Sequence, residues 1–587
     1  MLLLEIRKSL VLGLVTISKF RKYLQKTLIF IGVFCFFLSC SYDQDSSIIS
    51  IQQGKIKGID QNDGTIKYFG IPYAKAPIGN LRWKEPLPHD GWEGTFLADS
   101  HGKACMQPLE LLTPDGKLTG NNGFYDLIIE KSGLDISSDD SQNNAGFNRF
   151  TYDDMSEDCL FLNIVVPKGG SANKPVMFWI HGGASRWGSG HESNYTSQYI
   201  PNEGDVIVVS INYRLGVFAW LAHPELSKES INNVSGNYGT LDQITALKWV
   251  KENISSFGGD PNNVTIFGES AGGQAVTSLM ISPLSKGLFH KAIAQSGTGL
   301  PNVLTDIRED KGIIVSAESK GIKLAEYFLG ANANIKDLRE LPALDIVSID
   351  DFQLDQDLIM MTNQIVDGYV FPESIKDAFI NQNVHDLPFM VGFNGDEGTS
   401  LFPLIIDQET FNLFGEFWPE SLWAFVNPDP LSFQGPSGMK DFALSLDENF
   451  YDAATDFWGF LFFGAPSYFI AKQHSLSGNP TYLYQFDKKP NIPNDYLGAT
   501  HALELGYLFN KGGLFGIDGS YDDSDIDLAK KMRADWINFA KNGSPNIAER
   551  FDYVRSNARI YDSSITDDKI EHSDFYKSYS NFWENLN

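Results

Sequence analysis

Gly268-Glu269-Ser270-Ala271-Gly272 constrains this chain more than any other stretch. It follows Val264–Phe267 (VTIF), a short continuous apolar run of the kind buried on both faces of a sheet. It precedes Ala271–Ile281, which reads as a helix. A strand that gives way to a helix within one residue needs a sharp turn, and glycines two before and two after the serine relieve the crowding there. The turn lifts Ser270 to the sheet edge as a candidate nucleophile; the bland alternative is an ordinary strand–helix turn.

The surrounding text supports that context. Val176–His181 (VMFWIH) and Val206–Asn212 (VIVVSIN) are further short apolar runs, and Ala292–Ala294 and Phe389–Gly392 continue the pattern. Thr240–Ser255 has helical periodicity, with Leu241, Ile244, Leu247 and Val250 or Trp249 on one side. Asp527–Asn542 reads as an amphipathic helix. Strands alternating with helices predict an α/β class with a central, mostly parallel sheet. The stretches 300–385 and 400–480 are less regular and rich in aromatics, which suits a helical cap. Residues 106–155 are polar and turn-rich, a long surface excursion bounded by Cys105 and Cys159.

A serine hydroxyl needs a base to take its proton. In this architecture the chain order is serine, then acid, then histidine. Late in the chain stand His474, in a turn-like tail, His572, in a charged segment, and His501, in a loop opening onto an apolar stretch. His501 is the best candidate. The best acid lies just past the strand-like Phe389–Gly392, where Asp396 and Glu397 are adjacent and equally placed. His181-Gly182-Gly183-Ala184 follows another strand, so its backbone N–H groups are candidates to receive a developing oxyanion; a plain glycine turn is the alternative.

The N-terminus reads as an export signal. Arg7, Lys8, Lys19, Arg21, Lys22 and Lys26 precede Thr27–Ser39, an apolar run too short to span a bilayer comfortably, which takes about 20 residues. Cys40 and a polar, acidic stretch follow. The arrangement resembles a bacterial lipoprotein signal, which implies a leader over 1–39, lipid on Cys40, a tether over 40–50 and a catalytic domain over 51–587. Plain secretion and a signal anchor are the alternatives. In an exported chain the remaining pair, Cys105 and Cys159, most simply form a disulfide; two buried thiols are the alternative. With 74 acidic against 46 basic residues and a net charge of −28, the chain lacks the basic face that nucleic acid requires. No Cys/His cluster suggests a metal, and the oligomeric state stays open.

The chain resembles the type-B carboxylesterase family, which includes the cholinesterases. The matching stretches are FGIPYAKAPIGNLRW (69–83), SEDCLFLNI (156–164), HGGA (181–184), NYRLGVFAW (212–220), the block from Gly236 to Gly273, GFNGDEG (392–398) and GATHALELGYLF (498–509). The resemblance implies the α/β-hydrolase fold. It implies a triad of Ser270, Glu397 and His501, and oxyanion donors on the N–H groups of Gly183, Ala184 and Ala271. It also implies a Cys105–Cys159 disulfide and structural ion pairs Arg82–Glu157 and Arg214–Asp242. The activity implied is hydrolysis of a small-molecule carboxylic ester through an acyl-enzyme, with no cofactor. A non-catalytic adhesion protein on the same fold, or cleavage of an amide or carbonate, are the competing readings. Two departures stand out. Ala184 replaces a glycine, a change tolerated if its φ stays negative. Asn148-Arg149-Phe150 lies where cholinesterases carry a choline-stacking tryptophan, so choline esters are not expected.

Overall fold

The structure is a computed structural model and describes residues 47–108, 111–112, 118–119, 121–134, 150–300, 305–310, 314–347, 364–426, 435–515, 517, 519–546 and 548–585. The expected leader, Cys40 and the first residues of the tether lie outside these, as do Asn148 and Arg149. The strands that organise the molecule are β1 (Ile59–Asp60), β2 (Thr65–Pro72), β3 (Phe161–Pro167), β4 (Lys174–Ile180), β5 (Ile207–Ile211), β6 (Gly259–Glu269), β7 (Lys291–Gln295), β8 (Phe389–Asn394), β9 (Thr481–Phe486), β10 (Asn557–Tyr561) and β11 (Ile565–Lys569). They form one 11-stranded sheet in the order β11-β10-β9-β8-β7-β6-β4-β5-β3-β2-β1. From β5 to β10 every neighbouring pair is parallel; the pairs at both ends are antiparallel. This is the α/β-hydrolase fold.

Register decides where chemistry can assemble. Ile180 pairs with Gly268, Gly268 with Ala294, and Gln295 with Gly392. The C-terminal ends of β4, β6, β7 and β8 are therefore level, and the loops that follow emerge side by side, where open α/β sheets build their sites. Five helices matter here: α1 (Tyr238–Asn253), α2 (Ala271–Ile281), α3 (Gly398–Ile405), α4 (Ala465–Leu476) and α5 (Asp523–Asn542). Met177, Trp179, Phe267, Ile293, Met390, Tyr484 and Trp536 join one buried cluster between sheet and helices. The Trp536 indole N–H donates to Gln295 Oε1 at 3.0 Å, locking α5 to the end of β7.

Some elements differ from expectation. α5 starts at Asp523, before the expected Asp527, because Asp522 and Asp525 close a capping box that starts the helix among residues that look like loop. The excursion beyond Cys105 is not all turns: Asn121–Ser132 is helical, and Ile128 is fully buried in the main core. His474 is not in a tail. It lies in the last turn of α4, fully buried, with Nδ1 2.7 Å from Thr481 Oγ1. Among the described residues, 400–480 is mostly helical, whereas 300–385 carries the helices Ala317–Leu329, Ile335–Glu340, Ala343–Val347 and Ile375–Ile380 with much non-helical chain between them.

Candidate active site

Ser270 sits alone between β6 and α2 with φ 57° and ψ −122°, a strained conformation for a residue with a side chain. Its neighbours permit it. A Cβ on Gly268 would stand 2.6 Å from the carbonyls of Gly272 and Ile180, and one on Gly272 would stand 2.1 Å from the Ile180 oxygen. The Ser270 N–H donates to the Gln295 carbonyl at 2.8 Å, which ties the turn to β7. Ala271 is the first residue of α2, so its N–H has no acceptor within the helix.

Glu397 follows β8 and is buried; its Oε1 accepts from the Asn394 N–H at 2.7 Å, and its Oε2 lies 2.5 Å from His501 Nδ1. Asp396 faces another way: its Oδ2 accepts from the Ala499 N–H at 2.7 Å and braces the loop that carries His501. Of the two adjacent acids, Glu397 is the one that meets the imidazole. The loop is fixed further by Thr399 Oγ1, 2.7 Å from the Leu497 carbonyl and 2.9 Å from Thr500 Oγ1. The Phe463 ring packs on the imidazole at 4.7 Å. His474 and His572 are not at this site.

The other imidazole nitrogen has a neighbour that sequence reasoning missed. His501 Nε2 is 3.1 Å from Oε1 of Glu269, the residue before Ser270, although that oxygen receives no aligned hydrogen bond. Burial alone would lower the His501 pKa; the Glu269 and Glu397 carboxylates outweigh it and raise it to about 9. Burial raises Glu269 well above the carboxylate range, against the pull of His501. Burial and the nearby Glu397 raise Glu504 to about 7. Burial raises Glu192 to about 8, against hydrogen bonds from Tyr125 and Tyr195. The signal for Glu269 was in the motif itself: a carboxylate beside the serine is carried wherever the serine goes.

The HGGA loop leaves β4 and passes Ser270: a Cβ on Gly182 would stand 3.1 Å from Ser270 Cβ. Gly183, Ala184 and Ser185 have φ of 96°, 51° and 59°. The condition under which a methyl at 184 is harmless is therefore not met; Ala184 sits in the left-handed region that costs a non-glycine residue about 1–2 kcal/mol. The loop closes on itself, with the N–H groups of Arg186 and Trp187 donating to the Gly183 carbonyl at 2.9 and 3.0 Å.

Away from the site, Cys105 and Cys159 are bonded, as the resemblance implies. Arg82 meets Glu157 through Nε at 2.6 Å and a terminal nitrogen at 2.5 Å. Arg214 meets Asp242 at 2.8 and 2.7 Å, fully buried. Among the described residues, no group of three or more His, Cys, Asp or Glu is arranged to hold a metal ion.

Residues 45–582 match the model of the carboxylesterase family. The chain is 33% identical to the para-nitrobenzyl esterase of Bacillus subtilis (strain 168) over 521 residues, which covers 85% of this chain and 90% of that one. It is 32% identical to the fumonisin B1 esterase of Sphingopyxis macrogoltabida over 547 residues, covering 88% and 86%. A solved PNB esterase structure superposes with a TM-score of 0.71 at 30% identity, covering 92% of this chain and all of that one. A serine on a strand–helix turn, a carboxylate-bound histidine against Glu269, the residue before that serine, and a likeness over most of the chain lead to one conclusion: the chain belongs to the carboxylesterase family and is a carboxylic ester hydrolase.

Proposed function

We propose that Ser270, His501 and Glu397 form the catalytic triad of an enzyme that cleaves a small-molecule carboxylic ester through an acyl-enzyme. Ser270 Oγ attacks the ester carbonyl while His501 Nε2 takes its proton. Glu397, on Nδ1, holds the tautomer and stabilises the imidazolium. The oxyanion takes hydrogen bonds from the N–H groups of Gly183, Ala184 and Ala271. His501 then protonates the leaving alcohol, and water, activated by the same base, hydrolyses the acyl-enzyme. The observation that carries this reading is the 2.5 Å contact between His501 and Glu397, with His501 Nε2 3.1 Å from Glu269, the residue before the strained Ser270. A fluorophosphonate probe tests it: the label should appear on Ser270 in the native enzyme and be absent from Ser270→Ala.

Location rests on sequence alone. We propose residues 1–39 as a leader, Cys40 as a lipidated mature N-terminus, the stretch to residue 50 as a tether, and 51–587 as the catalytic domain, held at a bacterial membrane surface only by lipid. Two or more acyl chains anchor stably where one is marginal.

A further inference from the structure

We infer that Gln107 is a positioning residue for the oxyanion loop, which it ties to the disulfide-bonded Cys105. The inference rests on the triad reading above. Gln107 is fully buried. Its amide pairs with the backbone of Gly188 in both directions: the Gly188 N–H donates to Oε1 at 2.8 Å, and Nε2 donates to the Gly188 carbonyl at 3.0 Å. Nε2 also donates to the Cys105 carbonyl at 3.1 Å, and Cys105 is covalently held to Cys159. One side chain thus fastens the loop after β4 to a covalently closed segment 81 residues earlier.

Gly188 is not a remote point of that loop. Its φ is 103°, and a Cβ there would stand 2.6 Å from His181 Nδ1 and 2.8 Å from the Gly182 oxygen. It therefore backs directly onto the residues that lead into Gly183 and Ala184. Three successive residues, 183 to 185, hold positive φ. Such a run persists only where its surroundings over-determine it. The Gly216 N–H on the Ser185 carbonyl at 2.8 Å fixes the middle of the loop, and the Tyr213 hydroxyl on the His181 carbonyl at 2.8 Å fixes its start. Gln107 fixes its end. Without it, the Gly183 and Ala184 N–H groups lose their aim at the oxyanion, while Ser270, His501 and Glu397 keep theirs.

The test is Gln107→Met, which keeps the volume and removes the hydrogen bonds. Rates are expressed per active site titrated by the fluorophosphonate probe, so misfolded protein does not count. Three readouts are compared with the native enzyme: kcat and KM on an aryl ester, the rate on the matching thionoester, and the affinity for an aryl trifluoromethyl ketone. A thionoester develops charge on sulfur, which draws little from N–H donors, and the ketone binds as a tetrahedral adduct that needs them. The expected result is an about ten- to hundredfold fall in kcat, less than the loss of a whole donor, with KM within about twofold. Ketone affinity should fall by a similar factor and the thionoester rate should fall much less. The inference is overturned if kcat per titrated site stays within twofold, or if ester and thionoester rates fall equally with ketone affinity unchanged. Labelling of Ser270 is read separately, so a failed triad and a failed role for Gln107 are told apart.

Discussion

His501 Nε2 lies 3.1 Å from Glu269 Oε1, while its Nδ1 lies 2.5 Å from Glu397 Oε2, so one imidazole stands between two buried carboxyl groups. A general base between two carboxylates holds its proton more tightly than an isolated one. Against burial, Glu269 and Glu397 raise its pKa to about 9. On the proposed mechanism the neutral imidazole is the base, so kcat/KM should rise as pH increases through the joint titration of His501 and Glu269. Glu269→Gln removes one source of negative charge and lowers the His501 pKa. The acid limb of the kcat/KM profile should move to lower pH, by about one unit. An unmoved limb, or one shifted upward, would mean that Glu269 does not act on the base.

The second prediction separates adjacent acids. Glu397→Gln places an amide between the Asn394 N–H and His501 Nδ1, where the native carboxylate accepts from both. Either the amide faces a donor or the imidazole takes the wrong tautomer. The fall in kcat should be about two to four orders of magnitude. Asp396→Asn keeps an acceptor for the Ala499 N–H and should cost less than about tenfold. Steady-state kinetics on one aryl ester rank the two; the reverse ranking assigns the acid wrongly.

A third prediction concerns backbone strain at Ala184, whose φ is 51°. Glycine there escapes about 1–2 kcal/mol of strain and forfeits about 0.5–1 kcal/mol in unfolded-chain entropy. Ala184→Gly should leave the thermal midpoint unchanged or slightly raised, with activity retained. Ala184→Val should lower both, since a β-branched residue fits this region worst. A glycine variant that unfolds several degrees early would show that the methyl packs usefully.

The fourth prediction is about the leader. Thr27–Ser39 is short of the roughly 20 residues of a comfortable span, and Cys40 and a polar, acidic stretch follow it. Cys40→Ser should release the protein to a soluble fraction or leave its leader uncleaved. Membrane fractionation after normal cleavage would place the anchor elsewhere.

How far the residues alone disclose the molecule depends on whether a feature is local. The Ser270 turn was legible because a strand, a sharp turn and a helix leave their marks within a dozen residues, and because only glycine fits at 268 and 272. Asp396 and Glu397 could not be separated from spacing: they differ only in what they meet across the sheet end, Ala499 for one and His501 for the other. β9 (TYLYQF) follows directly on the aromatic-rich stretch 400–480, so its own aromatics do not stand out as a strand. β11 (ITDDK) has no apolar alternation to read, because it is an edge strand exposed along most of its length. His474 looked like a tail because Ser-Leu-Ser-Gly follows it, yet α4 continues through Leu476. The positive φ at Ala184 is imposed by the closed loop around it and leaves no mark in the residue itself.

The most direct test of the account is kcat on an activated aryl ester for Ser270→Ala against the native enzyme, with thermal unfolding measured on the same samples. Ser270 is half-buried, and on the proposed mechanism its hydroxyl serves chemistry, so its loss should cost about three orders of magnitude or more in rate and leave the midpoint nearly unchanged. Retention of most of the activity, with the fluorophosphonate label on another residue, would contradict it.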